Sequence, residues 1–357
     1  MIPPVRRELW ADSARGLAII AVVLGHVFLQ EDAAAQWSMW DPAQAAWTEL
    51  RDLLLPVRMP LFFLIAGYFA SRVIRRPWGT VLRTRTFGLY YLYVVWLLAQ
   101  TVFFLFVPHD GTAAATTAPE LAAQLTYAPT NLWFLVALAV YFVVAKAGVR
   151  VAPVALGAAA WLSWSAFADR LPDIFDRTPM PEYLVFFLVG AYAPALLRSI
   201  RGSVWLTTAG MLGLSAGVAA MRDADDRMLW TTWLTLSTVA GVTAVVSLLK
   251  LLEANGLLPQ LTVWIGRRTL PIYVAQLPLA VGVEALIDLL PPGVAQTLLG
   301  NPLVSTVYPL VVTAAIVGAG LLLHAAVGRV APWMYRAPWL QRETSPAAVA
   351  LSPAGAR

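Results

Sequence analysis

Apolar stretches of about 20 residues, each nearly free of charge, recur from residue 9 to residue 327. As an α-helix, such a stretch is about 30 Å long, which matches the hydrocarbon core of a bilayer. Lipid offers no hydrogen bonds, so each crossing segment must satisfy its own backbone, as a helix does. The chain is therefore expected to be an all-α, polytopic integral membrane protein. Its spans fall near 9–30, 53–71, 86–107, 130–146, 150–168, 181–197, 203–221, 230–249, 269–290 and 303–327, about ten in all. Composition agrees: 59% of the 357 residues are hydrophobic and 13% charged, where a soluble chain carries about 25% charged residues. The net charge of +5 then belongs to loops beside a membrane, and nucleic acid is not expected as a partner.

The ten spans form one membrane domain over residues 1–340, and the aperiodic stretch 341–357 reads as a disordered tail. No small-residue cleavage site follows the opening apolar run, so no cleavable signal is expected. With ten spans, alternate loops share a side, and one side holds 19 of the 25 Lys and Arg residues. The positive-inside rule puts that side, and both termini, in the cytoplasm. The other side keeps Arg51, Arg58, Arg170, Arg177, Arg222 and Arg227. With no cysteine, disulfides, thiolate nucleophiles and cysteine metal sites are excluded. The histidines are far apart in sequence with no acidic residue spaced for ligation, so no metal is expected.

The first span, LWADSARGLAIIAVVLGHVFLQ, contains Arg15 and His26. Eleven residues at 100° each bring the two to one helix face, about 16 Å apart along the axis. Asp12 lies three residues before Arg15, on nearly the same stripe. Ionisable groups within a span face the bundle interior or a wet cavity and are functional candidates. Periodicity leaves a second reading open, in which Asp12 and Arg15 form an interfacial ion pair and His26 is a packing residue. A second cluster, SRVIRRPWGTVLRTR, holds Arg72, Arg75, Arg76, Arg83 and Arg85 without an acid. Arg83 and Arg85 read as positive-inside loop residues. Arg72 and Arg75 share a helix face at i,i+3, and two guanidinium forks there suit phosphate.

These segments carry a resemblance. DSARGLAIIAVVLGH (12–26), MPLFFLIAGYFASRVIR (59–75), NLWFL (131–135), PEYLVFFLVGAY (181–192) and IGRRTLPIYVAQLPL (265–279) follow one another as in the acyltransferase 3 family. That family comprises integral-membrane acyltransferases that modify bacterial cell-envelope glycans and secreted sugars. The resemblance implies that His26 is the catalytic histidine, with Arg15 its partner and Asp12 in the same motif. It implies that Arg72 and Arg75, with Arg15, meet the acyl-CoA donor, and that the protein sits in a bacterial inner membrane. Two positions depart from the family pattern: Ala66 stands where members often have Ser, and Gln276 where they often have His.

Acyl transfer to a hydroxyl needs a base for the alcohol proton, a bound thioester and stabilisation of an oxyanion. His26 is the histidine that falls within a span core; His109 lies in an expected outer loop and His324 near the cytoplasmic end of the last span. A neutral imidazole in an apolar span can accept the proton. No serine or cysteine nucleophile is evident, so direct transfer from acyl-CoA, acetyl-CoA above all, to a carbohydrate-type acceptor is expected. Asn131, Trp133 and Glu182 are candidate acceptor contacts, with a helix cap and a membrane-interface aromatic as the plain alternatives for the first two. Hydropathy alone fits a transporter or flippase as well. Inverted repeats or broken helices would mark one, and the sequence shows neither clearly.

Overall fold

The computed structural model describes residues 8–33, 40–107, 115, 117–126, 128, 130–171, 179–291 and 293–342. They are helical almost throughout, with no strand among them. The long helices are α1 (Leu9–Ala33), α2 (Asp41–Val73), α3 (Trp78–Phe106), α4 (Trp133–Gly148), α5 (Ala152–Phe167), α6 (Met180–Tyr192), α7 (Val204–Arg222) and α8 (Arg227–Ala254). A short α9 (Gln260–Gly266) follows, then α10 (Thr269–Asp288) and α11 (Pro302–Val330). Apart from α9, each overlaps an expected span. Eight stretches are long and apolar enough to cross a bilayer, counting α4 and α5 together as Trp133–Phe167.

That stretch is two helices. A Cβ on Gly148 would stand 2.9 Å from the Ala155 Cβ, whereas residues seven apart in one helix are about 10 Å apart along its axis. The chain reverses at Val149–Val151. Helix starts follow local chemistry. The Asp226 side chain accepts from the Leu229 N–H at 2.8 Å, and the Asn301 side chain from the Leu303 and Val304 N–H groups at 3.0 and 3.3 Å, ahead of Pro302.

Helix α1 is the hub, packing against α2, α8, α9, α10 and α11. Its span is 78% buried by protein, against 28% for α7 and for α11, whose outer faces meet lipid. Trp205, Phe106 and Leu303 are among many large apolar side chains left exposed, a surface that suits hydrocarbon. Backbones touch where glycine removes a side chain. Gly16 lies against the Thr262 carbonyl and Gly266 against that of Asp12, joining α1 to α9; Gly67 and Gly190 do the same for α2 and α6.

Polar contacts collect at two ends of the bundle. At one, the Glu253 carboxylate accepts from the N–H groups of Leu9 and Trp10 at 3.0 and 3.4 Å. Lys250 there donates to the carbonyls of Leu197, Arg198 and Ile200, and Lys146 to that of Arg76. At the other, Arg222 forks onto Glu49 and Asp52, both at 2.7 Å, and Arg227 meets Asp169 at 2.8 Å. The segments assigned to one side by charge therefore stand together. Residues 343–357, most of the expected tail, and His109 lie outside the described residues.

Candidate active site

Helix α2 presents Val73, Phe69, Ala66, Phe62 and Arg58 at spacings of four, three, four and four residues, a single stripe on a 3.6-residue helix. It runs antiparallel to α1. Arg15 lies 5.4 Å over the Phe69 ring, and a Cβ on Gly25 would stand 1.8 Å from Nη1 of Arg58. Ten or eleven residues separate the paired positions on each helix, so α1 and α2 keep register over about 16 Å.

The upper part of that stripe walls a cavity of about 260 Å³, with Arg15 and Arg85 among its lining and Phe62, Phe134 and Tyr273 towards its inner end. Its walls are otherwise mainly apolar. Arg15 donates to the Thr269 hydroxyl at 3.1 Å, which fixes the guanidinium at the cavity edge. Arg85 reaches the same space because α3 contains a π-turn at Leu82–Thr86. The extra residue rotates the face that a continuous α-helix would present, and such turns recur at functional sites. The Arg85 guanidinium then lies 5.7 Å from the Phe142 ring.

Phe62 lies one helical turn, about 6 Å, from Arg58. Beyond it are Arg58 and His26. The guanidinium fills the volume that Gly25 leaves open, next in sequence to the imidazole, and is its charged neighbour. Pro56 and Pro60 flank Arg58 within α2, removing two backbone donors where the helix passes the site. An aromatic wall backs it: Tyr183 is stacked on Phe63 at 5.6 Å and on Trp133 at 5.8 Å. On the far side a second cavity, about 140 Å³, is lined by Glu182, Tyr183, Arg227 and Pro60 among others.

The structure thus gathers His26, Trp133 and Glu182 around one region, adding Arg58 and Tyr183. Arg58, counted with the outer charges in the sequence, lies well inside α2, because that helix starts at Asp41 rather than near residue 53. Asp12 is 1% exposed and accepts from Nε of Arg267 at 3.0 Å, while Arg15 turns to Thr269. Arg72 and Arg75 are exposed at the end of α2 that carries Val73, and neither lines the cavity. The Asn131 amide donates to Gln100 at 2.7 Å, and Gln100 to the Val274 carbonyl at 2.8 Å. Gln100 thereby ties α3 to α10, and Asn131 is held to it beside the site. Ala66 lines the cavity, so no hydroxyl is offered at that position. Gln276 is 2% exposed, with its Oε1 unpaired. His324 packs edge-on against Tyr335 at 4.3 Å, a helix-end contact.

A bundle of apolar helices around a cavity with basic groups at one end defines a multi-pass membrane protein with an internal site. The chain belongs to the acyltransferase 3 family: the model of its acyltransferase domain matches residues 8–324. It is similar to the inner membrane protein YcfT of Escherichia coli K12, at 30% identity over 167 residues. That alignment covers 41% of this chain and 45% of the relative, so it spans less than half of either. No solved structure matches.

Proposed function

We propose that the protein moves an acyl group, acetyl above all, from acyl-CoA to a hydroxyl of a carbohydrate or glycan-type acceptor, with His26 as general base. One observation carries this reading: the cavity bordered by Arg15 and Arg85 ends one helical turn from Arg58, beside His26. An extended pantetheine arm suits a passage of that length. Coenzyme A phosphates meet Arg15 and Arg85 at the basic end, with Arg72 and Arg75 adding charge outside it. The thioester reaches the level of Phe62, and the acceptor comes from the opposite side, where Glu182 lines the second cavity and Trp133 stacks on its Tyr183. Asp12, joined to Arg267, holds the α1 turn that positions Arg15.

The protein works in a bacterial inner membrane, the location that the relative's name carries for that protein. Both termini and the basic cavity end face the cytoplasm, where acyl-CoA is available. No metal takes part in this scheme.

The test is to incubate the purified protein with radiolabelled acetyl-CoA and envelope extract and to identify the labelled product. His26→Gln keeps a polar side chain that cannot take a full proton. It is expected to abolish labelling while leaving thermal stability near that of the wild type. Turnover near wild type in a folded His26→Gln protein rules out the base.

A further inference from the structure

Arg58 is a cation inside a membrane helix. Among the described residues, no carboxylate pairs with its guanidinium and no group accepts a hydrogen bond from it. Glu182 does not serve, since its electrostatic partners are Arg227, Asp169 and Tyr183. The neighbours of Arg58 are the neutral Tyr183 and a second cation, Arg51. A partly buried ion without a partner is costly in a span. Charges inside spans are kept where they do work. The fold also makes room for this one, because any side chain at Gly25 would collide with the guanidinium.

We propose that Arg58 holds the oxyanion that forms when the acceptor oxygen attacks the thioester carbonyl. The inference deepens the acyl-transfer reading and rests on it. The acceptor oxygen bonds to the carbonyl carbon while its proton passes to His26. The C=O π pair moves onto oxygen, and that negative charge faces the Arg58 guanidinium. When the intermediate collapses, C=O re-forms, the C–S bond breaks, and the coenzyme A thiolate takes the proton back from His26. The products are the ester and free coenzyme A, and both residues end as they began. The guanidinium lines neither cavity; it stands at His26, one helical turn beyond Phe62 at the inner end of the donor cavity, where the carbonyl arrives.

The chain has no cysteine, so a thiol reagent reads only released coenzyme A, even without a known acceptor. Acetyl-CoA hydrolysis, in which water is the attacking oxygen, is followed this way for the wild type, Arg58→Gln, Arg58→Lys and His26→Gln. Acetyl-CoA affinity is measured by calorimetry, and thermal stability in detergent. Arg58→Gln is expected to slow thiol release about 100- to 1,000-fold, the scale of losing an oxyanion donor. Affinity should stay within about threefold, because the interaction is made in the transition state. Its melting temperature should hold or rise, since an unpaired charge has been removed, and Arg58→Lys should keep an intermediate rate.

Release by Arg58→Gln within about threefold of wild type, beside an inert His26→Gln, overturns this role and leaves the acyl-transfer reading standing. An affinity loss matching the rate loss makes Arg58 a donor anchor instead. Joint loss of melting temperature and rate, unrescued by Lys, makes it a packing residue. If the wild type neither releases thiol from acetyl-CoA nor transfers label to any component of envelope extract, the acyl-transfer reading falls and takes this role with it; where transfer alone is seen, the same variants are compared by label transfer.

Discussion

Gly25 and Arg58 compete for one volume: a methyl group on Gly25 would stand 1.8 Å from Nη1 of Arg58. The clash is with the far end of a flexible side chain, so Gly25→Ala should move the guanidinium and spare the backbone. Alanine is also the better helix former by about 1 kcal/mol. Turnover should fall roughly 10-fold or more, with melting temperature unchanged or slightly raised, as one displaced donor predicts. Assays of rate and thermal stability on one preparation check this, and an unimpaired Gly25→Ala would show that the Arg58 position is not critical.

Arg85 lines the cavity and Arg83, two residues earlier, does not. A charge-assisted contact to phosphate contributes about 1.5–3 kcal/mol, so Arg85→Ala should weaken acyl-CoA binding roughly 10- to 150-fold. Arg83→Ala should have little effect, because that side chain does not line the cavity and donates instead to the Trp339 carbonyl at 3.4 Å. Arg72→Ala and Arg75→Ala should fall between, as exposed charges acting through solvent. Calorimetry with acetyl-CoA ranks the four. Equal losses for Arg83→Ala and Arg85→Ala would separate the donor site from this cavity.

Asp12→Asn should show as lost stability more than lost chemistry. The carboxylate is 1% exposed and its partner Arg267 has a side chain 38% exposed. Solvent takes up part of the orphaned charge, so the expected cost is about 1–2 kcal/mol. The rate per folded molecule should change much less than in His26→Gln. A denaturation curve beside a titrated active fraction distinguishes the two.

Gly67 and Gly190 let α2 and α6 touch: a Cβ on one would stand 2.0 Å from the Phe187 carbonyl oxygen, and on the other 2.1 Å from that of Leu64. Backbone cannot rotate away as a side chain does, so alanine at either should force the helices apart at about 1–3 kcal/mol. One separation relieves both clashes. The double substitution should therefore cost less than the sum of the single ones, which thermal melts can read.

Sidedness can be tested with single cysteines, since there is no background thiol. Gly79, exposed in the first turn of α3, should be shielded from an impermeant maleimide in intact cells when replaced by cysteine. Asp223, exposed between α7 and α8, should label once any outer barrier is permeabilised. The reverse pattern would invert the topology and remove the cytoplasmic donor route.

By itself the sequence determined the helical, membrane-spanning architecture. Each span must be long, apolar and self-bonded, and lipid enforces that rule locally. Arg15 and His26 were legible for a related reason: both lie on one regular helix, where spacing alone sets the shared face. Arg85 and Arg58 were not. A π-turn brings Arg85 to the cavity off the regular helical period, and an early start to α2 draws Arg58 from an apparent span end into the interior. Asp12 meets Arg267, far along the chain, because Gly16 and Gly266 let α1 and α9 meet backbone to backbone. Only the tertiary structure could decide these points. They depend on which helices touch and at what register, and in lipid an apolar face does not by itself choose its partner.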